Sequence, residues 1–488
     1  MQGVGTTKEG KWLYPLLGAS IFTLLLMLVS SSRSSSSLKT FRGLPNHLGP
    51  KLLVAGPSPP SPPSLAYFIT GSNGEAQKIF RLLLALYHPN NHYLLHLDLS
   101  ATAQERRDLA IMVRNVPAFV TAQNINVVGK ADFANHKGSS AVASTLHGAA
   151  LLLRYGGDWD WFINLSASEY PLVTQDDLLH ILSFLPRNLN FIQLSSQIGK
   201  TEYKMIRPVI VDPGLYLSSG SDIFYATQKR PMPNAYKIFT GSASIMLSRK
   251  FIEFCIMGID NSPRTLLMYF SNSVAAQEAY FQTVICNVRK FNTTIVNDDM
   301  HYAAWDKPKK LDPRTLSSND FDEMIKDGAP FARNFNENDP VLDHIDREVL
   351  HRGEGKIVPG GWCIGEGKED PCSVWGDVQI LKPGPGAKRL EGFPVGSQLI
   401  FFHHEIELVS LYRMPWDESM YTARNMLKYK VGKVCFKTRR GKWLDRSEGE
   451  ETGNGMVPGM KESWYKGEVS QERLGLQTRF AEGVRRIS

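Results

Sequence analysis

The segment LAYFITGSNGEAQKIFRLLLALYHPNNHYLLHLD, residues 65–98, decides the fold class of this chain. It opens with the apolar run LAYFIT, which predicts a strand, and GSNG then predicts a turn. The following residues predict a helix, because their apolar side chains recur at helical spacing on one face. These are Ile79, Leu82, Leu83 and Leu86. A second apolar run, HYLLHLD, ends at Asp98, so the segment predicts two parallel strands joined by a crossover helix.

The alternation of strand and helix continues towards the middle of the chain. NINVVG, residues 124–129, predicts a third strand, and SSAVASTLHGAALLLRYG, residues 139–156, predicts a helix with glycine at its end. DWDWFINLSASEYPL contains a fourth strand at 161–165. We therefore expect an α/β domain with a mostly parallel, Rossmann-like sheet and flanking helices.

The carboxyl ends of the strands indicate where a ligand would bind. Asp98 closes the second strand and Glu169 follows the fourth, so both are candidates for donor binding at one rim of the sheet. Asp158 and Asp160 form a D-x-D motif, but they precede the fourth strand and belong to its opposite end, so we interpret them as structural. Because no other D-x-D follows a strand, the sequence requires no divalent metal.

A single carboxylate, Glu278, lies in the otherwise uncharged run AAQEAYFQTVIC, residues 275–286. If this run is a helix, Glu278 shares a face with Phe281, Gln282 and Ile285. Two interpretations are open. Glu278 is either a solvated first-turn glutamate that favours the helix dipole, or a partly desolvated general base beside a substrate cleft.

The N-terminal region predicts a membrane anchor followed by a stem. Residues 12–30, WLYPLLGASIFTLLLMLVS, carry no charge and are near the length that crosses a bilayer. A cleaved signal peptide is the alternative, but no A-x-A site follows the run. The Ser- and Pro-rich residues 31–64 predict an extended stem. We expect a cytosolic tail at 1–11 and a globular domain at 65–390 on the far side of the membrane.

The composition excludes several classes of protein. The chain has 488 residues, of which 42% are hydrophobic and 21% charged, as in ordinary globular proteins. Its net charge of +7 comes from scattered residues, which argues against a nucleic-acid partner and suits an anionic sugar nucleotide. Five cysteines are too few for a disulfide-built scaffold. Cys363 and Cys372 close a short Gly-rich loop, and they are either a local disulfide or buried free thiols.

An ordered set of motifs from about residue 65 to 390 resembles the core-2/I-branching β-1,6-N-acetylglucosaminyltransferase family, glycosyltransferase family 14. The set is most similar to the plant members that resemble β-glucuronosyltransferases. The motifs are RLLLALYHPNNHYLLHLD, DWDWFINLSASEYPL, VDPGLYLSSGSDIFYATQKR, FTGSASIMLSRKFIEFCI, NSPRTLLMYF, EAYFQTVICN, HYAAWD, APFARNF and PGGWCIG.

The resemblance implies a GT-A type fold, a UDP-sugar donor, inversion at the anomeric carbon and no metal or other cofactor. It also implies a single-pass type II protein of the Golgi membrane with a lumenal catalytic domain. The plant members transfer glucuronic acid from UDP-glucuronate to the galactan side chains of arabinogalactan proteins. UDP-N-acetylglucosamine and UDP-xylose remain alternative donors, and a catalytically weak, membrane-tethered glycan-binding protein is the alternative of another class.

The resemblance also assigns roles to particular residues. The family's base is the glutamate of an S-x-E-x-x-F-x-T motif, which Glu278 matches, although the residues before it, AAQ, replace a common Ser-Pro pair at Ala276. The family's F-A-(R/N)-K-F segment stabilises the departing diphosphate. It reads FARNF here, so Asn334 replaces the common lysine and Arg333 is the candidate. Glu169 stands where aspartate is usual.

Three further predictions concern the rest of the chain. FTGSAS, residues 239–244, is expected to line the acceptor site through Gly241 and Ser242, with a plain tight turn as the alternative. Asn292 begins an N-T-T sequon and is a candidate glycosylation site in a lumenal domain. Residues 391–488 extend beyond the resemblance and mix short apolar and charged stretches, which predicts an atypical, mostly disordered tail.

Overall fold

The computed structural model describes residues 61–196, 206–216, 222–306, 312–365 and 370–392, all within one compact unit. The predicted signal-anchor, the stem up to residue 60 and the tail from residue 393 lie outside these ranges. Within them, none of the helices combines the length and the apolar character that crossing a bilayer requires.

The strands of the described residues include long central ones and short peripheral ones. In chain order they are β1 Leu65–Gly71, β2 His92–Leu97, β3 Ile125–Val127, β4 Trp161–Ser166, β5 Glu169–Pro171, β6 Asn190–Phe191, β7 Leu194–Ser195, β8 Pro208–Val211, β9 Phe224–Lys229, β10 Thr240–Gly241, β11 Met246–Ser248, β12 Ile295–Val296, β13 His301–Tyr302 and β14 Phe331–Arg333.

The α-helices lie between and after these strands. They are α1 Ala76–Leu86, α2 Ala103–Arg114, α3 Pro117–Ala122, α4 Ser140–Tyr155, α5 Gln175–Ser183, α6 Arg249–Met257, α7 Ser262–Phe270, α8 Tyr280–Asn287, α9 Phe321–Asp327, α10 Pro340–Glu348 and α11 Pro385–Gly392. Short 3-10 turns occupy Pro213–Tyr216, Ala276–Glu278, Ser318–Asp320 and Pro371–Ser373.

The main sheet has the strand order β12-β6-β11-β4-β1-β2-β3. Strand β1 pairs in parallel with both β2 and β4, and β2 pairs in parallel with β3, as the alternation of strands and helices predicts. Strand β11 is antiparallel to both β4 and β6, so the sheet is mixed. The sequence IMLS, residues 245–248, predicts the strand β11, but it carries no signal for its antiparallel direction.

Both faces of the main sheet are buried, which explains why its strands are continuous apolar runs. Along β1, Tyr67 belongs to the core on the α1 side and Phe68 to the core on the α4 side. Helix α4 approaches β1 so closely that a Cβ at Gly148 would lie 2.4 Å from the Phe68 ring. The glycine in α4 is therefore required by the contact between helix and sheet.

Helix α5 anchors the last part of the described chain. Thr174 caps the helix in a capping box: its hydroxyl oxygen accepts from the Asp177 N–H at 3.2 Å, and Asp177 Oδ2 accepts from the Thr174 N–H at 3.2 Å. The other Asp177 oxygen, Oδ1, accepts hydrogen bonds from the backbone N–H groups of Gly384 (2.6 Å) and Ala387 (3.0 Å). Asp177 is 2% exposed. This carboxylate therefore holds α11 against α5.

Candidate active site

The predicted donor-binding acids lie at the carboxyl edge of the main sheet. Beyond β2, the Asp98 N–H donates to the Gly71 carbonyl at 2.9 Å, and beyond β4, the Ala167 N–H donates to the Thr70 carbonyl at 2.7 Å. The ends of β2 and β4 therefore flank the end of β1. Asp98 Oδ1 accepts from the Ser100 N–H at 3.0 Å, and Asp98 is buried. The rim arrangement matches the prediction from sequence, and donor binding by Asp98 stays a prediction.

Glu169 and Arg333 face each other in a small sheet, in which β5 and β14 pair antiparallel with Glu169 opposite Arg333. Glu169 Oε1 accepts a hydrogen bond from the Ser244 hydroxyl at 3.0 Å. Arg333 Nη1 donates to the hydroxyls of Ser242 at 3.0 Å and Ser244 at 3.2 Å. The structure thus brings three predicted site residues, Glu169, Arg333 and Ser242, into one polar cluster.

Two residues of this cluster were missed by the sequence reasoning. Asp299 Oδ2 lies 3.4 Å from Arg333 Nη2, and His301 Nε2 lies 3.6 Å from Glu169 Oε1. Both follow β12, a strand of two residues. The HYAAWD motif, which begins at His301, was the sequence signal that could have identified this part of the cluster. In the neighbouring residue Asp298, burial raises the pKa of the carboxyl to about 6. The hydrogen bond that this carboxylate accepts from the Met300 N–H opposes the rise.

The backbone around Glu278 differs from the predicted continuous helix. Ala275 adopts a left-handed conformation with φ 44°, Glu278 ends the 3-10 turn Ala276–Glu278, and Ala279 at φ −135° separates this turn from α8. Glu278 therefore lies before α8 and not in the first turn of a helix spanning 275–286, as the solvated-glutamate interpretation would have it. Phe281 inside α8 is buried in the core, whereas Glu278 in the separate turn is half-buried.

The electrostatic environment of Glu278 suits proton transfer near neutral pH. Burial raises the pKa of Glu278 to about 7, the positive charge of Arg333 opposes this rise, and Asp312 adds to it. A carboxylate with this pKa is a stronger base than a solvated one and is still half ionised at pH 7. The structure therefore favours the partly desolvated carboxylate over the solvated first-turn glutamate, and it couples Glu278 to Arg333.

The predicted acceptor segment lies beside the same cluster. Ser242 is buried, its hydroxyl accepts from Arg333, and its carbonyl accepts from Gln282 Nε2 of α8 at 2.6 Å. Gly241 has a reason in the fold, since a Cβ there would lie 1.9 Å from the Gln193 carbonyl oxygen across the β7–β10 pair. The glycine is thus required by strand pairing, and the acceptor contacts of Gly241 and Ser242 stay predictions.

The D-x-D pair lies at the amino end of β4, opposite the polar cluster. Asp160 Oδ2 accepts from the Ser64 N–H at 3.0 Å, and Asp160 Oδ1 lies 3.8 Å from Arg187 Nε. Asp158 is fully exposed, 4.0 Å from Arg249 Nη1. These contacts agree with the structural interpretation of the motif. In the described ranges, no three His, Cys, Asp or Glu residues are grouped so that they could hold a metal ion; a metal-independent reaction stays a prediction.

The remaining predicted residues lie apart from the cluster or at its border. Cys363 and Cys372 are joined by a disulfide with a Cα–Cα distance of 4.3 Å. Asn292 is 5% exposed, and since a glycan needs a solvent-accessible amide, this burial counts against glycosylation there. Asn334, which stands where the resemblance leads us to expect a lysine, adopts φ 84° and donates from Nδ2 to the Pro313 carbonyl at 2.8 Å. Asparagine tolerates this left-handed conformation better than lysine does.

Comparisons with known proteins identify the class of protein to which the chain belongs. The chain is a glycosyltransferase: a family model described as "Branch: Core-2/I-Branching enzyme" matches residues 65–325. The chain belongs to the core-2/I-branching enzyme family. It is 49% identical to Beta-glucuronosyltransferase GlcAT14A of Arabidopsis thaliana, over 79% of this chain and 90% of the relative.

One further relative and one solved structure are also similar to the chain. The chain is 51% identical to Beta-glucuronosyltransferase GlcAT14B of Arabidopsis thaliana, over 78% of this chain and 92% of the relative. Among solved structures, the apo structure of the WbbM bifunctional glycosyltransferase aligns with a TM-score of 0.31 and 12% sequence identity, over 70% of this chain and 60% of that one. A TM-score this low supports no further conclusion.

Proposed function

We propose that this chain is an inverting, metal-independent glucuronosyltransferase of GT-A type, with Glu278 as its catalytic base. The donor is UDP-glucuronate and the acceptor is the galactan side chain of an arabinogalactan protein. The observation that carries the proposal is the half-buried Glu278, whose pKa burial raises to about 7 against the opposing charge of Arg333. The relatives named as beta-glucuronosyltransferases support the choice of donor.

The reaction in this proposal needs one carboxylate and one cationic group. Glu278 takes the proton of the acceptor hydroxyl as its oxygen attacks C1 of the donor sugar from the face opposite UDP. The new glycosidic C–O bond forms while the bond from C1 to the phosphate oxygen breaks. UDP leaves with the bonding electron pair, and the configuration at C1 is inverted.

Arg333 stabilises the departing diphosphate in place of a metal ion. Its guanidinium is held by the Ser242 and Ser244 hydroxyls and by Asp299, and its Nε is buried without a hydrogen-bond partner. Because the charge of Arg333 lowers the pKa of Glu278, a bound diphosphate that neutralises Arg333 raises that pKa. Donor binding therefore makes Glu278 a stronger base at the moment when the acceptor must be deprotonated.

The proposed cellular setting rests on the sequence before residue 61. We propose that residues 12–30 anchor the protein in the Golgi membrane as a type II protein and that residues 31–64 hold the catalytic domain in the lumen. The disulfide between Cys363 and Cys372 supports this setting, since disulfides persist in oxidising compartments.

A donor screen tests the proposed function. UDP release from UDP-glucuronate, UDP-N-acetylglucosamine and UDP-xylose is measured with and without a β-galactan acceptor, and the product linkage is determined by NMR. We expect acceptor-dependent release from UDP-glucuronate and a β-linked product. Preference for another donor would refute the glucuronate assignment, and an α-linked product would refute inversion. Measurable glycan binding without release from any donor would favour the glycan-binding alternative.

A further inference from the structure

A second buried carboxylate, Asp212, lies behind the turn that carries Glu278. It follows β8 and is 1% exposed. Its Oδ2 atom accepts hydrogen bonds from the backbone N–H groups of Ser139 and Ser140, both at 2.8 Å, and its Oδ1 atom accepts from the Gly214 N–H at 2.9 Å. Three donors from two segments therefore converge on one side chain.

The position of Asp212 fits the needs of helix α4. Ser139 is the N-cap residue of α4, and its own side chain makes no capping hydrogen bond. The N–H groups at the start of a helix have no partner within the helix and carry partial positive charge, so a carboxylate placed there is stabilised. Asp212 supplies this cap from a different part of the chain, and it fixes the loop that enters α4.

This loop in turn holds the Glu278 turn through its backbone. The Lys137 carbonyl accepts from the Ala275 N–H at 3.0 Å, and the Gly138 carbonyl accepts from the Ala276 N–H at 3.1 Å. Ala275 has φ 44°, a conformation that alanine adopts only when its surroundings impose it. These two hydrogen bonds hold the left-handed residue from which Glu278 is presented, and Gln277 Nε2 adds a side-chain link between the two segments by donating to the His136 carbonyl at 3.3 Å.

Gly138 shows how closely Asp212 fits against the loop. A Cβ at Gly138 would lie 2.0 Å from Asp212 Oδ2, a distance that two such atoms cannot occupy. Any side chain at position 138 therefore displaces either the carboxylate or the carbonyl that accepts from Ala276. The contact gives a second way of disturbing the arrangement without changing a charge.

We propose that Asp212 is a positioning residue for Glu278: by capping α4 it fixes the carbonyls of Lys137 and Gly138, which hold the turn at Ala275 and Ala276 in the geometry that presents the base. This inference rests on the proposed function, because it takes Glu278 as the base. Asp212 lies behind the loop and acts through it.

The test compares three variants of the purified full-length enzyme. Asp212→Asn keeps the shape of the side chain but turns one acceptor oxygen into a donor facing backbone N–H groups. Gly138→Ala introduces the clash with Asp212. Asp177→Asn is the matched control, because Asp177 is also buried and also accepts hydrogen bonds from backbone N–H groups. Asp177, however, holds α11 against α5 and not the loop that enters α4.

We expect kcat to fall about 10–100-fold in Asp212→Asn and in Gly138→Ala, because small displacements of a reacting group cost rate of this order. The KM for the donor should change by less than about threefold, since Arg333 and Asp98 lie on other segments. The acid limb of the pH–rate profile should move from about pH 7 towards the ordinary carboxylate value of 4.5, because a loosened turn exposes Glu278 to water. The control variant Asp177→Asn should keep the kcat of the wild type and the acid limb of its pH–rate profile.

Amide hydrogen exchange gives a readout that does not depend on turnover. Exchange at Ala275 and Ala276 should accelerate at least about tenfold in Asp212→Asn and stay unchanged in the control. Unchanged exchange there, or a pH profile equal to that of Asp177→Asn, would overturn the inference. Near-normal turnover of Glu278→Gln would instead refute the base assignment, so failure of the inference and failure of the proposed function give different results.

Discussion

The pH dependence of transfer follows from the burial of Glu278 and from the charge of Arg333, which act on its pKa in opposite directions. A general base works only when ionised, so activity should rise with pH through its pKa of about 7. With that pKa, about 90% of the carboxylate is ionised at pH 8 and about 10% at pH 6, so the rate should fall about tenfold between them. A solvated glutamate at its ordinary pKa would lose almost nothing over the same range.

Changing the charge of Arg333 makes this prediction specific. Arg333 lowers the pKa of Glu278, so Arg333→Met should move the acid limb to higher pH in addition to lowering the rate. Arg187→Met is the matched control, because Arg187 lies against Trp161 and near Asp160 at the opposite end of β4. The assay is UDP release from pH 5 to 9 with the donor well below its KM, so that kcat/KM reports the pKa of the donor-free enzyme. An acid limb below pH 6 in the wild type, or an acid limb that Arg333→Met does not move to higher pH, would refute the electrostatic coupling between Arg333 and Glu278.

The remaining predictions concern metal, stability and topology. Transfer should continue in excess EDTA, since Arg333 is proposed to replace the cation; loss of turnover restored by Mn²⁺ would contradict this. Above pH 7, Glu278→Gln should be more stable than the wild type by up to about 3 kcal/mol. Because the pKa of Glu278 is raised from 4.5 to about 7, its contribution to the free energy of unfolding of the wild type is fully present below pH 4.5 and is lost as pH rises through 7. Equal urea midpoints of the two proteins at pH 8 would argue against this. Protease should spare the domain from residue 65 onward in intact microsomes and digest it after detergent, whereas digestion without detergent would reverse the predicted topology.

The central sheet could be predicted because its strands are buried on both faces. Residues 65–98 contain two apolar runs and a helix whose apolar residues share one face, and β1, α1 and β2 lie within one or two residues of the predicted bounds. The rim position of Asp98 and Glu169 followed from the same pattern. Short strands such as β12 and β13 contain two residues each, so neither period nor propensity could identify them, and Asp299 and His301 were missed with them.

The geometry of the Glu278 turn could not be predicted because tertiary contacts impose it. Alanine favours a helix, and the run from Ala275 onward has helical spacing. In the structure, the Lys137 and Gly138 carbonyls hold Ala275 and Ala276 and delay the start of α8 until Tyr280. Local propensity carries no information about partners 138 residues earlier in the chain, so only the structure shows this arrangement.

The most direct test of the account is the rate of Glu278→Gln with its UDP affinity measured on the same preparation. Glutamine keeps the shape of the side chain but cannot take up the proton of the acceptor hydroxyl. Loss of a general base typically costs about 10²–10⁴-fold in rate. We predict a loss of this size with UDP affinity within about threefold of the wild type. Near-normal transfer by a folded Glu278→Gln protein would contradict the claim that Glu278 is the base.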